Sequence, residues 1–341
     1  MMSPFPFPNA RYEHRAVLIN PEHLTRAEVA FSRFLHLSLE GEEKQGLLPF
    51  AFGKLNGNTA PYKVVPVQPA LSKRIRLTVL LNVIERGPDS PTQKALPPIV
   101  LLHGLFGRAR NLGFVQRRLA TTHRTFAMDL RNHGDSPHGP MSYDAMAEDV
   151  RETLAHYTSE PAIVLGHSMG GKTAMMLALH HPQQVLRLIV ADIAPAQGGF
   201  TRMDVPPDLE NLSFPPELDR KGADALLRPV IPNEAVRQMM VQNMNLGEKP
   251  GWAIGLHQIM QALPAIMDWP ELPAGTAYNG PTLFIKGELS PYIQARNYAA
   301  MRALFPHYVL ETVGGAGHWV HADAPARFAQ IVEEFVATQP A

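Results

Sequence analysis

Cysteine is absent from this chain of 341 residues. That excludes a disulfide framework, a thiolate nucleophile and any metal site built on sulfur, and it fits a reducing compartment. Net charge is missing too: 31 Lys and Arg balance 31 Asp and Glu, for a formal charge of +0. A neutral chain has no electrostatic reason to seek nucleic acid or an anionic membrane. No apolar run approaches the roughly 20 residues needed to cross a bilayer. The stretch Ala16-Val17-Leu18-Ile19 is too short for the core of a secretion signal. Glu13, Glu22 and Glu28 interleave with the nearby arginines, which argues against an organelle transit peptide. The expectation is a cytoplasmic protein with no membrane span. The His180-His181 pair and His133/His138 lack carboxylate neighbours at helical spacing, so no metal site is expected.

What is present is a chain 45% hydrophobic and 18% charged, enough for one large domain and an insertion. Residues 1–70 read as an N-terminal extension, rich in proline at its start (Pro4, Pro6, Pro8), with one amphipathic helix expected over 21–39. From about residue 75 short apolar runs alternate with helical patterns. Strands are expected over 75–81, 98–102, 125–128, 162–165, 186–191, 282–285 and 307–313. Helices are expected over 142–157, 169–181, 291–303 and 324–337. Such alternation implies a mostly parallel sheet covered on both faces. Between 195 and 278 the rhythm breaks. This stretch holds eleven prolines and six methionines, with short helical pieces at 233–243 and 252–262, and reads as a helical insertion. The expected division is a core of 71–194 and 279–341, with 195–278 as a cap.

The chemistry concentrates at strand ends. Gly166-His167-Ser168-Met169-Gly170 follows the apolar run 162–165 and precedes a helix. Strand, sharp turn with serine, helix is the arrangement that exposes a hydroxyl nucleophile beside a base. The glycines fit a close approach of strand and helix. His103-Gly104-Leu105-Phe106-Gly107 follows the strand 98–102. Its glycines free backbone N–H groups, and the N–H of Leu105 and of Met169 would form an oxyanion hole, with the positive end of the 169–181 helix aimed at the same place. His103 and Asp135 read as loop braces. Gly314-Gly315-Ala316-Gly317-His318-Trp319 supplies the base, His318, in the chain order Ser, acid, His; His321 is the competing candidate. Lys172 sits in the first helical turn, where a positive charge is unfavourable, and reads as a salt-bridge or bracing residue.

The acid has two candidates. Its usual position follows the strand 282–285, but that segment runs Lys286-Gly287-Glu288-Leu289-Ser290, with Ser290 standing where an aspartate is expected. Glu288 comes two residues early and is one methylene longer. Asp192 ends the preceding strand, 24 residues after Ser168. A turn or helix-capping role is the structural alternative for it.

The chain resembles the α/β-hydrolases and, within them, the YbfF-like carboxylesterases, which have mitochondrial relatives in animals. The resemblance rests on His-Gly-Leu-Phe-Gly at 103–107, Asp-Leu-Arg-Asn-His-Gly-Asp-Ser at 129–136, Gly-His-Ser-Met-Gly-Gly-Lys at 166–172, Asp-Ile-Ala-Pro at 192–195 and Gly-Ala-Gly-His-Trp-Val-His-Ala at 315–322. It covers roughly 75–338 and implies Ser168 as nucleophile, His318 as base and Asp192 as acid. It does not reach residues 1–70 or fix the insertion.

The resulting expectation is a serine hydrolase, monomer or homodimer, that cleaves short to medium acyl esters through an acyl-enzyme and needs no cofactor. Acyl thioester hydrolysis and haloperoxidase-like peracid formation use the same intermediate and stay open. So does a non-enzymatic binding protein on a hydrolase fold. The cap's apolar residues (Phe200, Met203, Phe214, Met239, Met240, Trp252, Met260, Met267, Trp269) form either a pocket wall or the cap's own core. Phe106, Trp252, Trp269 and Trp319 are the candidate pocket residues.

Overall fold

The structure is a computed structural model that describes residues 79–88, 96–196 and 206–338. The expected N-terminal extension with its helix over 21–39, and Phe200 and Met203 of the insertion, lie outside the described residues. Residues from Thr78 onward cluster as one unit.

Seven strands form the central sheet: β1 (Val83–Arg86), β2 (Leu96–Leu102), β3 (His123–Met128), β4 (Ala162–His167), β5 (Val185–Ala191), and, after the insertion with its two-strand pair β6 (Met244–Asn245) and β7 (Gly251–Trp252), β8 (Thr282–Gly287) and β9 (Tyr308–Val313). The spatial order is β1-β3-β2-β4-β5-β8-β9. All neighbours are parallel except β1, which runs antiparallel to β3.

The inner strands are continuous apolar runs because both their faces are buried. Successive residues still separate by face. Val100, Leu102, Val164, Leu188, Val190 and Phe284 join one core cluster, and Ile99, Leu101, Ile163, Leu165, Ile189 and Leu283 join the other. The period of two in the strand sorts them. Helix α1 (Gly113–Leu119) contributes Val115 and Leu119 to the second cluster. Helices α2 (Tyr143–Tyr157) and α3 (Met169–His180) serve the first. Ser142 caps α2 by accepting the Ala145 N–H, which fixes its start.

The described part of the insertion, 206–278, carries three α-helices joined by irregular stretches and the β6/β7 pair. The helices are α4 (Arg220–Leu227), α5 (Glu234–Val241) and α6 (Leu256–Met267). Helix α6 starts four residues later than the sequence pattern predicts, because Gly251 and Trp252 pair with Asn245 and Met244 instead. The buried apolar residues of the insertion, among them Leu227, Met240, Ile259 and Ile266, belong to the same cluster as α2 and α3. After β8, the helix expected over 291–303 is divided into a single 3-10 turn at Ala295–Asn297 and α7 (Tyr298–Leu304). The chain ends in α8 (Val320–Asp323) and α9 (Pro325–Ala337). Among the described residues no helix is long and apolar enough to cross a membrane.

The exit of the insertion is held by two buried groups. The Tyr143 hydroxyl donates to the Ile266 carbonyl at 2.6 Å, and the Lys172 ammonium donates to the Asp268 carbonyl at 2.7 Å. Lys172 is fully buried and lies over the Tyr143 ring at 5.6 Å. Burial pulls its pKa down to about 7, with the Asp268 carboxylate opposing the shift. Between pH 7 and the ordinary lysine pKa the unfolded chain holds a proton that the folded one releases. Stability therefore rises with pH across that window. We expect urea unfolding to show a gain on the order of 3 kcal/mol between pH 7 and pH 9.5 that Lys172→Met abolishes. Parallel pH profiles for the two proteins would refute it.

Candidate active site

The strand order reverses direction between β2 and β4, so the turns leaving these two strands diverge and open a crevice at the sheet's C-terminal edge. The turn after β4 carries Ser168. Its backbone is left-handed, with φ 53°, a conformation that costs a non-glycine residue energy and is held by its surroundings. The Ser168 N–H donates to Ala191 O at 2.9 Å, and Ser168 O accepts the Lys172 N–H at 3.0 Å. A Cβ on Gly166 would lie 2.1 Å from Gly170 O, and one on Gly170 would lie 2.4 Å from Leu102 O. Strand, helix and neighbouring strand touch through backbone, so only glycine fits.

His318, in the loop between β9 and α8, reaches this turn. Its Nε2 stands 3.0 Å from Ser168 Oγ, and its Nδ1 stands 2.7 Å from Asp192 Oδ2. With Nδ1 carrying the proton toward the carboxylate, Nε2 is the acceptor for the serine hydroxyl. Asp192 is fully buried, at 0% exposure, and has φ 54°. Its Oδ1 accepts the Gly287 N–H at 2.9 Å, and its Oδ2 also accepts the Ser290 hydroxyl. Ser290, at the position where an aspartate is expected, thus bonds to the carboxylate that lies elsewhere in the chain. Glu288 points away. It is exposed, and its Oε2 accepts the Gly315 N–H at 2.8 Å, tying together the two loops that carry Ser290 and His318.

Other groups brace this line. The Tyr292 ring lies against the His318 imidazole at 4.0 Å between centroids, and the His167 ring at 4.9 Å. His167 Nε2–H donates to His318 O at 2.8 Å. Burial, reinforced by the neighbouring His321 and His318, holds the His167 pKa well below its usual value, so the ring that donates here is neutral. His103 accepts the Leu130 N–H on Nε2 at 3.0 Å and donates from Nδ1 to Gly104 O at 2.8 Å. Burial keeps it neutral as well. His321 packs edge-on against His167 at 4.5 Å. Its pKa falls to about 4 through burial and the nearby His318, and its Nδ1 has no hydrogen-bond partner.

In the 129–136 loop the bracing carboxylate is Asp129 rather than Asp135. Asp129 accepts the Ala109 N–H at 2.7 Å, the Asn82 amide at 2.8 Å and the Asp135 N–H at 3.1 Å. Burial opposes its ionisation, but these donors outweigh it and hold the carboxyl below its ordinary range. Asp135 itself is exposed and contributes only its backbone.

Leu105 lines the cleft beside Ser168, and Met169 opens α3 directly after it. The same cleft is lined by Met239, His318 and Trp319. Phe106 and Trp269 are buried in the core cluster. Trp252 packs edge-on against Phe214 at 5.6 Å, with its indole N–H buried and unpaired. Ser290, Tyr292 and His167 carried no sequence signal for these contacts. Among the described residues no group of three or more His, Asp or Glu is placed to hold a metal ion.

A seven-stranded, mainly parallel sheet, with helices on both faces, a serine turn after β4 and a helical insertion after β5, defines the α/β-hydrolase architecture. The family model described as "Alpha/beta hydrolase family" matches residues 99–331, and the chain belongs to that family. Among its relatives, the sn-1-specific diacylglycerol lipase ABHD11 of Mus musculus is 39% identical over 253 residues, covering 71% of this chain and 81% of that protein. The esterase YbfF of Escherichia coli (strain K12) is 34% identical over 258 residues, covering 75% of this chain and 98% of that one. A solved structure of a marine microorganism esterase superposes with a TM-score of 0.68 at 34% identity, over 76% of this chain and all of that one.

Proposed function

We propose that the protein is a serine carboxylic ester hydrolase acting on short to medium acyl esters. The observation that carries this reading is the hydrogen-bonded line from Ser168 Oγ through the His318 imidazole to buried Asp192, at 3.0 and 2.7 Å. Ser168 attacks the acyl carbon while His318 takes its proton. The negative oxygen of the tetrahedral intermediate is met by the N–H groups of Leu105 and Met169, with the N-terminal end of α3 adding its dipole. His318 then protonates the departing alcohol, and water, activated by the same imidazole, releases the acid. Asp192 keeps the imidazole in the productive tautomer and stabilises its charged form. No cofactor enters this sequence. Two of the similar proteins are named as a diacylglycerol lipase and an esterase, which have ester cleavage in common.

The segment 195–278 acts as a cap. Met239 of α5 reaches the cleft, and the Gly255 N–H at the start of α6 donates to Asn132 O at 2.9 Å. Met239 and Trp319 would contact the acyl chain. Met239→Ala and Trp319→Ala are expected to change the kcat/KM ratio between butanoate and octanoate esters by about tenfold. Trp252→Ala is expected to leave it unchanged, its ring being committed to Phe214. Equal ratios in all three would remove the cleft from acyl recognition.

The direct test of the function is labelling with a fluorophosphonate, followed by a panel of acyl esters, acyl thioesters and peroxide-dependent peracid formation. Labelling at Ser168 with ester turnover exceeding the others supports the proposal. Absence of labelling in folded protein overturns it.

A further inference from the structure

Phe106 follows the residue assigned to the oxyanion site and is held at φ 58°, a left-handed conformation that a bulky side chain avoids unless something fixes it. Within the loop, the Gly107 N–H closes a turn onto Gly104 O at 2.9 Å. His103 Nδ1 donates to the same Gly104 O at 2.8 Å, and a further constraint on this turn comes from the insertion. Asn243 is fully buried, at 0% exposure. Its Nδ2 donates to the Phe106 carbonyl at 2.7 Å, and its Oδ1 accepts from Arg108 Nε at 3.1 Å. One amide therefore spans Phe106 to Arg108 in the loop after β2.

The amide is itself rigidly carried. The Asn243 N–H donates to Met240 O at 2.9 Å, and Asn243 O accepts the Ala253 N–H at 2.8 Å. These bonds tie its backbone to the end of α5 and to the strand pair β6/β7. The same end of α5 presents Met239 to the cleft beside Leu105 and Ser168. The Leu105 N–H shares a rigid peptide unit with Gly104 O, so its direction is set by the torsions on either side of that unit. The Gly107 N–H that holds Gly104 O shares its own unit with the Phe106 carbonyl. A carbonyl clamped at Phe106 limits those torsions.

We infer that Asn243 is a positioning residue for ester hydrolysis: by clamping the Phe106 carbonyl it aims the Leu105 N–H at the oxyanion, so the cap forms part of the oxyanion site. This rests on the serine hydrolase reading. Stabilising a developing oxyanion requires donors placed to within a fraction of an ångström, and loss of the clamp weakens the transition state more than the bound ester. Asn243 touches no reacting atom and acts only through the loop.

The test uses the full chain and a trifluoromethyl ketone carrying the acyl chain of the preferred ester. Ser168 Oγ adds to its carbonyl carbon, the serine proton passes to His318, and the carbonyl oxygen becomes an oxyanion in the site. Asn243→Asp preserves volume and the acceptor for Arg108 while removing the donor, and Asn243→Ser shortens the side chain. Fluorophosphonate titration restricts rates to folded, competent protein. It also tests the parent reading separately, since wild-type protein that fails to label would sink that reading before any variant is compared. The expected result is a fall in kcat of about ten- to hundredfold in both variants with KM within about threefold, and a ketone Ki raised by the same factor as kcat falls. A kcat at the wild-type level overturns the inference. So does a lowered kcat whose loss the ketone Ki does not match, because a merely structural role leaves oxyanion affinity per competent site unchanged.

Discussion

Ser168→Ala is expected to abolish ester hydrolysis and fluorophosphonate labelling while leaving the fold as it is. Loss of the nucleophile in a hydrogen-bonded serine, histidine and carboxylate set removes about 10⁴-fold or more of the rate. The fold should tolerate the change for a specific reason. Ser168 occupies the N-cap position of α3, where a serine hydroxyl ordinarily accepts a helix N–H, yet its side chain makes no capping bond. The hydroxyl faces His318 instead. The left-handed backbone is held by the bonds to Ala191 and Lys172, which alanine keeps. We expect the thermal midpoint of the variant to stay within about 3 °C of wild type, the shift from about 2 kcal/mol in a chain of this size. Stoichiometric labelling of the alanine variant would mean that another residue is the nucleophile.

The same separation between local and long-range determinants explains what the sequence reveals. The runs 98–102, 162–165, 186–191 and 282–285 are readable because a strand buried on both faces must be apolar throughout, and each appears in the sheet with an extension of at most a few residues. Val83–Arg86 escapes notice. It is a short edge strand with Glu85 and Arg86 facing solvent, and only its antiparallel pairing with β3 defines it. The 75–81 run, expected as a strand, is not in strand form over its described part, 79–81. There the Leu81 N–H donates to the Thr153 hydroxyl rather than to a neighbouring strand. Pro264 lies inside α6, where a sequence pattern predicts an end. Packing of Ile259 and Ile266 into the core offsets the lost backbone bond.

At the site, Ser168 and His318 are legible because each lies in a short motif whose glycines report the local geometry. Ser290, Tyr292 and Asn243 are not. Their roles depend on partners 98, 26 and 137 positions away in the chain, and no local spacing encodes such a meeting. The lone asparagine at 243 has the composition of any helix-ending residue until the loop at 103–108 folds against it.

The acid is where local and long-range readings diverge most, and Asp192→Asn compared with Glu288→Gln separates them. Every contact of the Asp192 carboxylate is with a donor: the Gly287 N–H, the His318 Nδ1–H and the Ser290 hydroxyl. An asparagine must turn its NH₂ toward one of these. If it faces Gly287, two N–H groups oppose each other in a fully buried place. If it faces His318, the imidazole is driven to the tautomer whose Nε2 carries the proton and can no longer accept from Ser168. Either outcome removes the orienting charge as well, and kcat is expected to fall by about 10³- to 10⁴-fold. Glu288→Gln keeps an oxygen for the Gly315 N–H at an exposed position, and kcat is expected within about threefold of wild type, the range of a neutral surface change. A buried Asp→Asn also lowers stability, so both variants are compared at a temperature where thermal unfolding shows them fully folded. A large loss in the glutamine variant beside near wild-type turnover in the asparagine variant would move the acid to Glu288. It would also require the loop at 314–318 to adopt another arrangement during turnover, since here Glu288 is bonded to that loop's backbone while Asp192 holds the imidazole.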